Sequence, residues 1–325
     1  MAELPEEGVN LNEVAVLYRS HFHALELQLE LTKRHIPFSI TSGIRFFEQA
    51  HIKDATAFLK LVANPRDEIS FKRLAQLLPG IAAKGAEKLW KSCSSAEGRA
   101  GSPLPADGAH GVTRPTKTPI ATALQKIAKS VPSKAATAWA QFVATISQLE
   151  DETVRKSAAK MLRLVIDAGY DDYLKENFAN YRNRLEDLEQ LAVFAYQFNS
   201  TEDFLTQLAL LTNVEAEDDQ AAKNDAEKIK LSTIHQAKGL EFDVVFTIML
   251  CDGLFPSSRS MESGEREEEE RRLFYVAITR ARNELYLCYP LIRASFGKSG
   301  GDGMQQPSRF LSEIPGDLLN QWNLR

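Results

Sequence analysis

Leu231-Ser-Thr-Ile-His-Gln-Ala-Lys-Gly-Leu-Glu-Phe-Asp-Val-Val-Phe246 decides how this chain is read. The apolar run Ile229–Thr233 predicts a strand that ends at a polar turn carrying His235, Gln236, Lys238 and Gly239. Glu241 then precedes a second apolar run, Asp243–Leu250, which predicts the next strand. Polar side chains at the end of a strand in an α/β sheet stand where ligands bind. Thr233 and His235 can donate hydrogen bonds to phosphate oxygens, and Gly239 permits a tight turn or a close backbone approach. The plainer reading of the same residues is a solvated loop with a helix N-cap.

Working outward, Glu267–Ala281 reads as a helix and Glu284–Tyr289 as a further strand. Near the start of the chain, Val14–Tyr18 reads as a short buried strand. A helix over His21–Arg34 follows, with Ser20 in the N-cap position, and then a strand over Pro37–Thr41. Strand, helix and strand at this spacing predict a βαβ unit in a parallel sheet. Between Gly43 and about Leu211 the apolar spacing turns helical, most clearly over Glu68–Leu78, Ala83–Lys91, Ala135–Glu150, Val154–Asp167 and Tyr181–Phe198. The expected architecture is an α/β domain interrupted by a mainly α-helical insert. Ser92–Pro119, rich in Gly and Pro, is expected as a mobile loop, and acidic Val214–Glu227 as a linker. Pro307–Pro315 reads as a short closing helix.

Composition narrows the function classes. A length of 325 residues suits two domains, and 44% hydrophobic residues suffice for two cores. No apolar run reaches the length of a transmembrane helix, so no membrane partner is expected, and Met1–Glu7 lacks the basic and apolar regions of a secretory signal. Three widely spaced cysteines, Cys93, Cys251 and Cys288, argue for a reducing compartment and against a disulfide framework. No CxxC or HExxH is present, and no metal site is expected. His21 and His23 are either a ligand pair on a strand or, as we read them, part of a solvated helix start. A net charge of -5 means that any nucleic-acid binding relies on local patches.

A second informative run is Glu268-Glu-Glu-Arg-Arg-Leu-Phe-Tyr-Val-Ala-Ile-Thr-Arg-Ala-Arg282. On a helix, Leu273, Val276, Ala277 and Arg280 share one face, so Arg280 closes an apolar stripe. An arginine placed there needs a carboxylate or a ligand anion, and its planar fork suits phosphate. The plainer reading is a structural ion pair with one of Glu267–Glu270 or a neighbour. Glu268–Glu270 themselves read as a solvated first turn. Tyr18-Arg19, at the end of the first strand, pairs an aromatic with a cation. That suits a base and a phosphate, although such pairs also arise from packing and surface charge alone.

The two long runs resemble motifs V and VI of UvrD/Rep/PcrA-type superfamily 1 DNA helicases. Val14–Ser20 resembles motif IV, Gly43–Asp54 resembles the entry to that family's inserted domain, and Pro307–Pro315 also fits. The resemblance implies a RecA-like 2A domain over residues 1–42 and 228–325, and a helical 2B domain over 43–227, with 92–119 as its loop. It implies ATP in a cleft between 2A and an N-terminal 1A domain. There Tyr18 would stack on adenine, Arg19 and Arg280 would act as arginine fingers, and Glu241 would bind the ribose beside Gly239. It implies Thr233 and His235 on single-stranded DNA. Pro79-Gly-Ile-Ala-Ala-Lys-Gly-Ala-Glu-Lys-Leu89 would meet duplex DNA, Lys84 and Lys88 supplying charge. Ala82 stands there in place of the family's second glycine, and an ordinary helix start is the alternative. The 2B domain swivels in this family, which makes Val214–Glu227 a hinge candidate.

No G-x-x-x-x-G-K-S/T occurs, and Gly297-Lys298-Ser299 lacks both the leading glycine and the strand-to-helix context. The parts that cradle phosphates and hold Mg²⁺ are therefore expected in an N-terminal 1A/1B half, which would be this chain's partner along with single-stranded and junction DNA. The expectation is a C-terminal fragment or natural half-protein of a cytoplasmic, nucleoid-associated 3′→5′ helicase of the kind used in DNA repair. It would be inactive alone, with ATP and Mg²⁺ as cofactors of the whole. The alternative is a non-catalytic DNA-binding or partner-docking module with a helicase-like fold. The helicase arm of a recombination helicase–nuclease would require a nuclease domain not visible in the sequence.

Overall fold

The structure is a computed structural model that describes residues 9–41, 46–98, 119–220, 227–258, 260–294 and 302–322. The chain forms two compact units, Met1–Phe46 with Ala209–Arg325, and Phe47–Leu208. The expected partition places these boundaries at 42/43 and 227/228.

The first unit is built on a five-stranded sheet of β1 (Val14–Tyr18), β2 (Phe38–Thr41), β3 (Ile229–Thr233), β4 (Phe242–Thr247) and β5 (Ala281–Leu287). Its order is β2-β3-β1-β4-β5, and every pairing is parallel. The α/β class is as expected. β3 lies between β1 and β2, so the sheet is completed only after the helical insert has been passed. β1 is buried on both faces, as its unbroken apolar run requires. Side-chain alternation divides it. Val14, Val16 and Tyr18 enter the core that includes Ala24 and Leu31, against α1 (Leu25–Lys33). Ala15 and Leu17 enter the opposite core, with Leu273, Phe274 and Ala277 of α12 (Gly264–Ile278). The tail closes this second core: Arg309–Glu313 forms a short 3₁₀ turn, Phe310 is fully buried and Arg309 pairs with Asp252. A two-stranded antiparallel ribbon, β6 (Ile292–Ala294) with β7 (Asp302–Met304), completes the strands described.

The second unit is helical. It contains α2 (Ala50–Ala63), α3 (Glu68–Gln76), α4 (Ala83–Gly98), α5 (Ile120–Lys126), α6 (Ala136–Leu149), α7 (Glu152–Arg155), α8 (Ala158–Val165), α9 (Asp171–Asn177) and α10 (Tyr181–Ala195). Its core includes Trp139, which packs edge-on against Phe71 and Phe142 and donates its indole N–H to the Leu124 carbonyl. Asp54, nearly buried, accepts from Arg73 and from the Tyr170 hydroxyl. Burial and the adjacent carboxylate hold the Tyr170 phenol well above its ordinary pKa.

Several expectations need correction. Val154–Asp167 is two helices, because the Ser157 hydroxyl accepts from Lys160 N–H and caps a new start. Ser92–Gly98 continues α4, and residues 99–118 lie outside the described residues. Helix α11 (Thr201–Gln220) takes in Val214–Gln220, since Glu, Ala and Gln propagate a helix readily; residues 221–226 lie outside the described residues. Ser20 precedes a 3₁₀ turn over His21–Ala24 and accepts through its carbonyl, from His23 N–H, with no side-chain cap. His23 is buried rather than solvated.

Candidate functional site

Because all five strands run the same way, their ends define two edges, and the sequence-predicted residues divide between them. Tyr18 pairs in register with Thr233, which puts Arg19 and His235 just past the C-terminal edge. Arg280 accepts the Phe242 N–H on its carbonyl at the opposite edge, directly after Glu241. Phe242 to Thr247 is five strand steps, which separates the edges by roughly 16 Å.

At the C-terminal edge, strand alternation sends Arg19 to the α12 face and Tyr18 to the other. Tyr18 is 0% exposed. With no free face it cannot stack on a base in this arrangement, which corrects the expectation for it. Arg19 reaches Glu270 of α12: Nε donates to Oε1 and Oε2, both at 3.0 Å, and Nη2 donates to Oε1 at 2.8 Å. The Glu270 side chain is only 4% exposed, against 27% for Arg19. Ser260 Oγ donates to Glu270 Oε1 at 3.2 Å and is joined to Ser257 Oγ at 2.7 Å. The expected solvated acidic turn is thus wrong at Glu270. α12 begins at Gly264, and Glu270, Leu273, Phe274 and Ala277 form its buried stripe at i, i+3, i+4 and i+7. That spacing is the sequence signal by which Glu270 can be found.

His235 shares this end. Its ring titrates below the ordinary histidine value, chiefly because part of it is withdrawn from water, and next because of the Arg19 charge; Glu270 and Glu269 oppose the shift. Thr233 is nearly buried, and its carbonyl accepts from Gln236 and Ala237 N–H at 3.1 Å, closing the turn.

At the other edge Arg280 lies in the turn just past α12 rather than on the helix, and it binds no carboxylate among the described residues. Nε donates to the Val276 carbonyl at 3.0 Å, Nη1 to the Leu240 carbonyl at 2.8 Å and Nη2 to Thr279 Oγ1 at 3.0 Å. One N–H on each Nη is left over. Gly239 has φ +89°, so the turn that brings Leu240 to Arg280 requires a glycine. Glu241 is exposed beside it.

Lys84 and Lys88 occupy successive turns on the exposed face of α4, in the helical unit. Gly80 at φ +78° turns the chain into that helix, and the Ala82 carbonyl accepts from Gly85 and Ala86 N–H, as at an ordinary helix start. Among the described residues, no three or more His, Cys, Asp and Glu side chains are placed to hold a metal, and no helix is long and apolar enough to cross a membrane.

Residues 1–99 and 112–291 match the model of the UvrD-like helicase C-terminal domain. The chain belongs to that family. It is 34% identical over 324 residues to the ATP-dependent DNA helicase PcrA of Bacillus subtilis (strain 168), covering 96% of this chain and 41% of the relative. It is 31% identical over 338 residues to DNA helicase II of Escherichia coli (strain K12), covering 98% and 42%. Against DNA helicase II of Haemophilus influenzae it is 32% identical over 330 residues, again covering 98% and 42%. The chain therefore spans about two fifths of the length of these curated relatives.

Proposed function

We propose that this chain is the C-terminal part of an ATP-dependent 3′→5′ DNA helicase acting in the cytoplasm on chromosomal DNA. Its α/β unit would serve as domain 2A and its helical unit as 2B, facing an N-terminal 1A/1B half. The observation that carries this reading is the Arg19 end. A guanidinium held along its Nε–Nη2 edge keeps Nη1 and one N–H of Nη2 available, beside a histidine at the end of the paired strand. Family membership and the partial coverage of helicase relatives support it.

ATP, with Mg²⁺ held by the N-terminal half, supplies the free energy for movement. The residues here fit its triphosphate and sugar: two arginines with N–H groups to spare, and the exposed Glu241 as an acceptor for ribose hydroxyls. Arg19 and Arg280 bind phosphate oxygens and stabilise the charge spread over them in the transition state, a role worth about 10³–10⁵ in rate. His235, with Thr233 beside it, contacts the DNA backbone from the loop that leads on to Gly239 and Glu241, so one short segment joins nucleotide to strand. Lys84 and Lys88 add charge against duplex phosphates.

Purified alone, the 325-residue chain should hydrolyse no ATP with or without DNA. Combined with the N-terminal half of a relative, it should regain DNA-stimulated hydrolysis. Robust turnover by the chain alone, or none in the combined protein, would overturn this reading.

A further inference from the structure

We infer that Glu270, steadied by Ser260, is the positioning residue that aims Arg19 at an incoming phosphate. This deepens the helicase reading and rests on it. Three N–H···O contacts of 2.8–3.0 Å hold the Nε–Nη2 edge of the guanidinium and leave Nη1 on the side away from Glu270. A free arginine samples many rotamers, and a bidentate carboxylate removes much of that freedom before the ligand arrives.

A purely structural ion pair accounts less well for this arrangement. Burying a carboxylate is costly, and a well-packed apolar side chain would stabilise the core at least as well. Yet Glu270 sits on the buried stripe of α12, at 3% exposure, among Leu273, Phe274 and Ala277. Among the described residues its hydrogen bonds go to Arg19 and Ser260. The guanidinium it holds is the more exposed member of the pair, so the pair faces outward. Glu270 also offsets at His235 the charge of Arg19, which ties the phosphate-facing and strand-facing groups to one carboxylate.

The test has two arms. In the chain combined with an N-terminal half, Glu270→Gln should lower kcat about 10- to 100-fold with a smaller change in KM, the usual scale for losing a partner that orients a working side chain. In an Arg19→Ala background the same substitution should cost less than about twofold further, because Glu270 acts through Arg19. Losses that multiply, or an unchanged kcat in Glu270→Gln, would overturn the assignment. Ser260→Ala, a milder change, should give a smaller loss with the same non-additivity, and it serves if Glu270→Gln melts early.

The second arm needs no activity and so separates failure of this inference from failure of the helicase reading. NMR relaxation of the Arg19 Nε–H in the 325-residue chain should show an ordered side chain in the parent and a mobile one in Glu270→Gln. Equal order in the two would show that Glu270 does not hold Arg19 there.

Discussion

The two ends of the sheet hold their arginines by different means. Arg19 is gripped by a side chain, the buried Glu270 carboxylate, whereas Arg280 is gripped mainly by main chain, the carbonyls of Val276 and Leu240. A side-chain grip carries charge, so one substitution removes it and neighbouring titration feels it. A carbonyl grip survives almost any change of the residue that supplies it, provided the turn keeps its shape, and Gly239 at φ +89° sets that shape. Helix α12 and the turn after it link the two, with Glu270 and Arg280 ten residues apart.

The largest effect should come from removing either arginine. In the chain combined with the N-terminal half of a relative, Arg19→Ala and Arg280→Ala should each lower ATP turnover roughly 10³-fold, the lower end of the range for an arginine finger. Melting temperatures should stay near the parent's for Arg280→Ala, whose hydrogen bonds lie in a surface turn. Arg19→Ala should melt lower, because it strands a buried carboxylate. Near-parental turnover in one variant would confine the nucleotide to the other end of the sheet and break the symmetry of the assignment.

Much of this contrast was legible in the sequence, and what was missed has identifiable causes. The strands were readable because Val14–Leu17 and Val244–Phe246 are apolar throughout, as buried parallel strands must be. Alternation along β1 also tells that Tyr18 and Arg19 go to opposite faces. The stacking role given to Tyr18 overlooked that its face is a closed core. Glu270 was hidden in a run of four glutamates that looks uniformly solvated, and only its spacing to Leu273, Phe274 and Ala277 marks it out. That Arg280 would meet carbonyls could not be read from residue types, since the partner is the backbone of a turn forty residues away. The long helix through Val214–Gln220 escapes a reading that equates acidic composition with a linker, because Glu and Ala favour helix.

A smaller effect separates the ends by pH, because His235 stands at the Arg19 end. Its folded-state pKa is lowered, so between that value and the ordinary histidine value of about 6.5 the unfolded chain binds the proton first. Stability from this group is present above about pH 6.5 and declines as pH falls through that value. Denaturant unfolding at about pH 7.5 and about pH 5.5 should show the parent chain losing more stability than His235→Asn over that interval. Equal losses would mean that the ring is not withdrawn from water. On the same argument His235 is neutral near pH 7.5, and the strand contact proposed for it would use an N–H and not a cation.

The smallest effect concerns the helical unit, where phosphate contact would be made without any positioned support. Lys72 and Lys91 are tied to Glu87, but Lys84 and Lys88 make no ion pair among the described residues and stand free on α4. A free lysine acts as a mobile point charge, which adds affinity without geometry. Replacing both with alanine in the combined protein should weaken duplex binding similarly for every sequence tested. It should also flatten the plot of log affinity against log salt by about 1.8, two phosphate contacts at about 0.9 each. An unchanged slope would take α4 off the duplex. A sequence-dependent loss would mean that these lysines reach base edges and not phosphates alone.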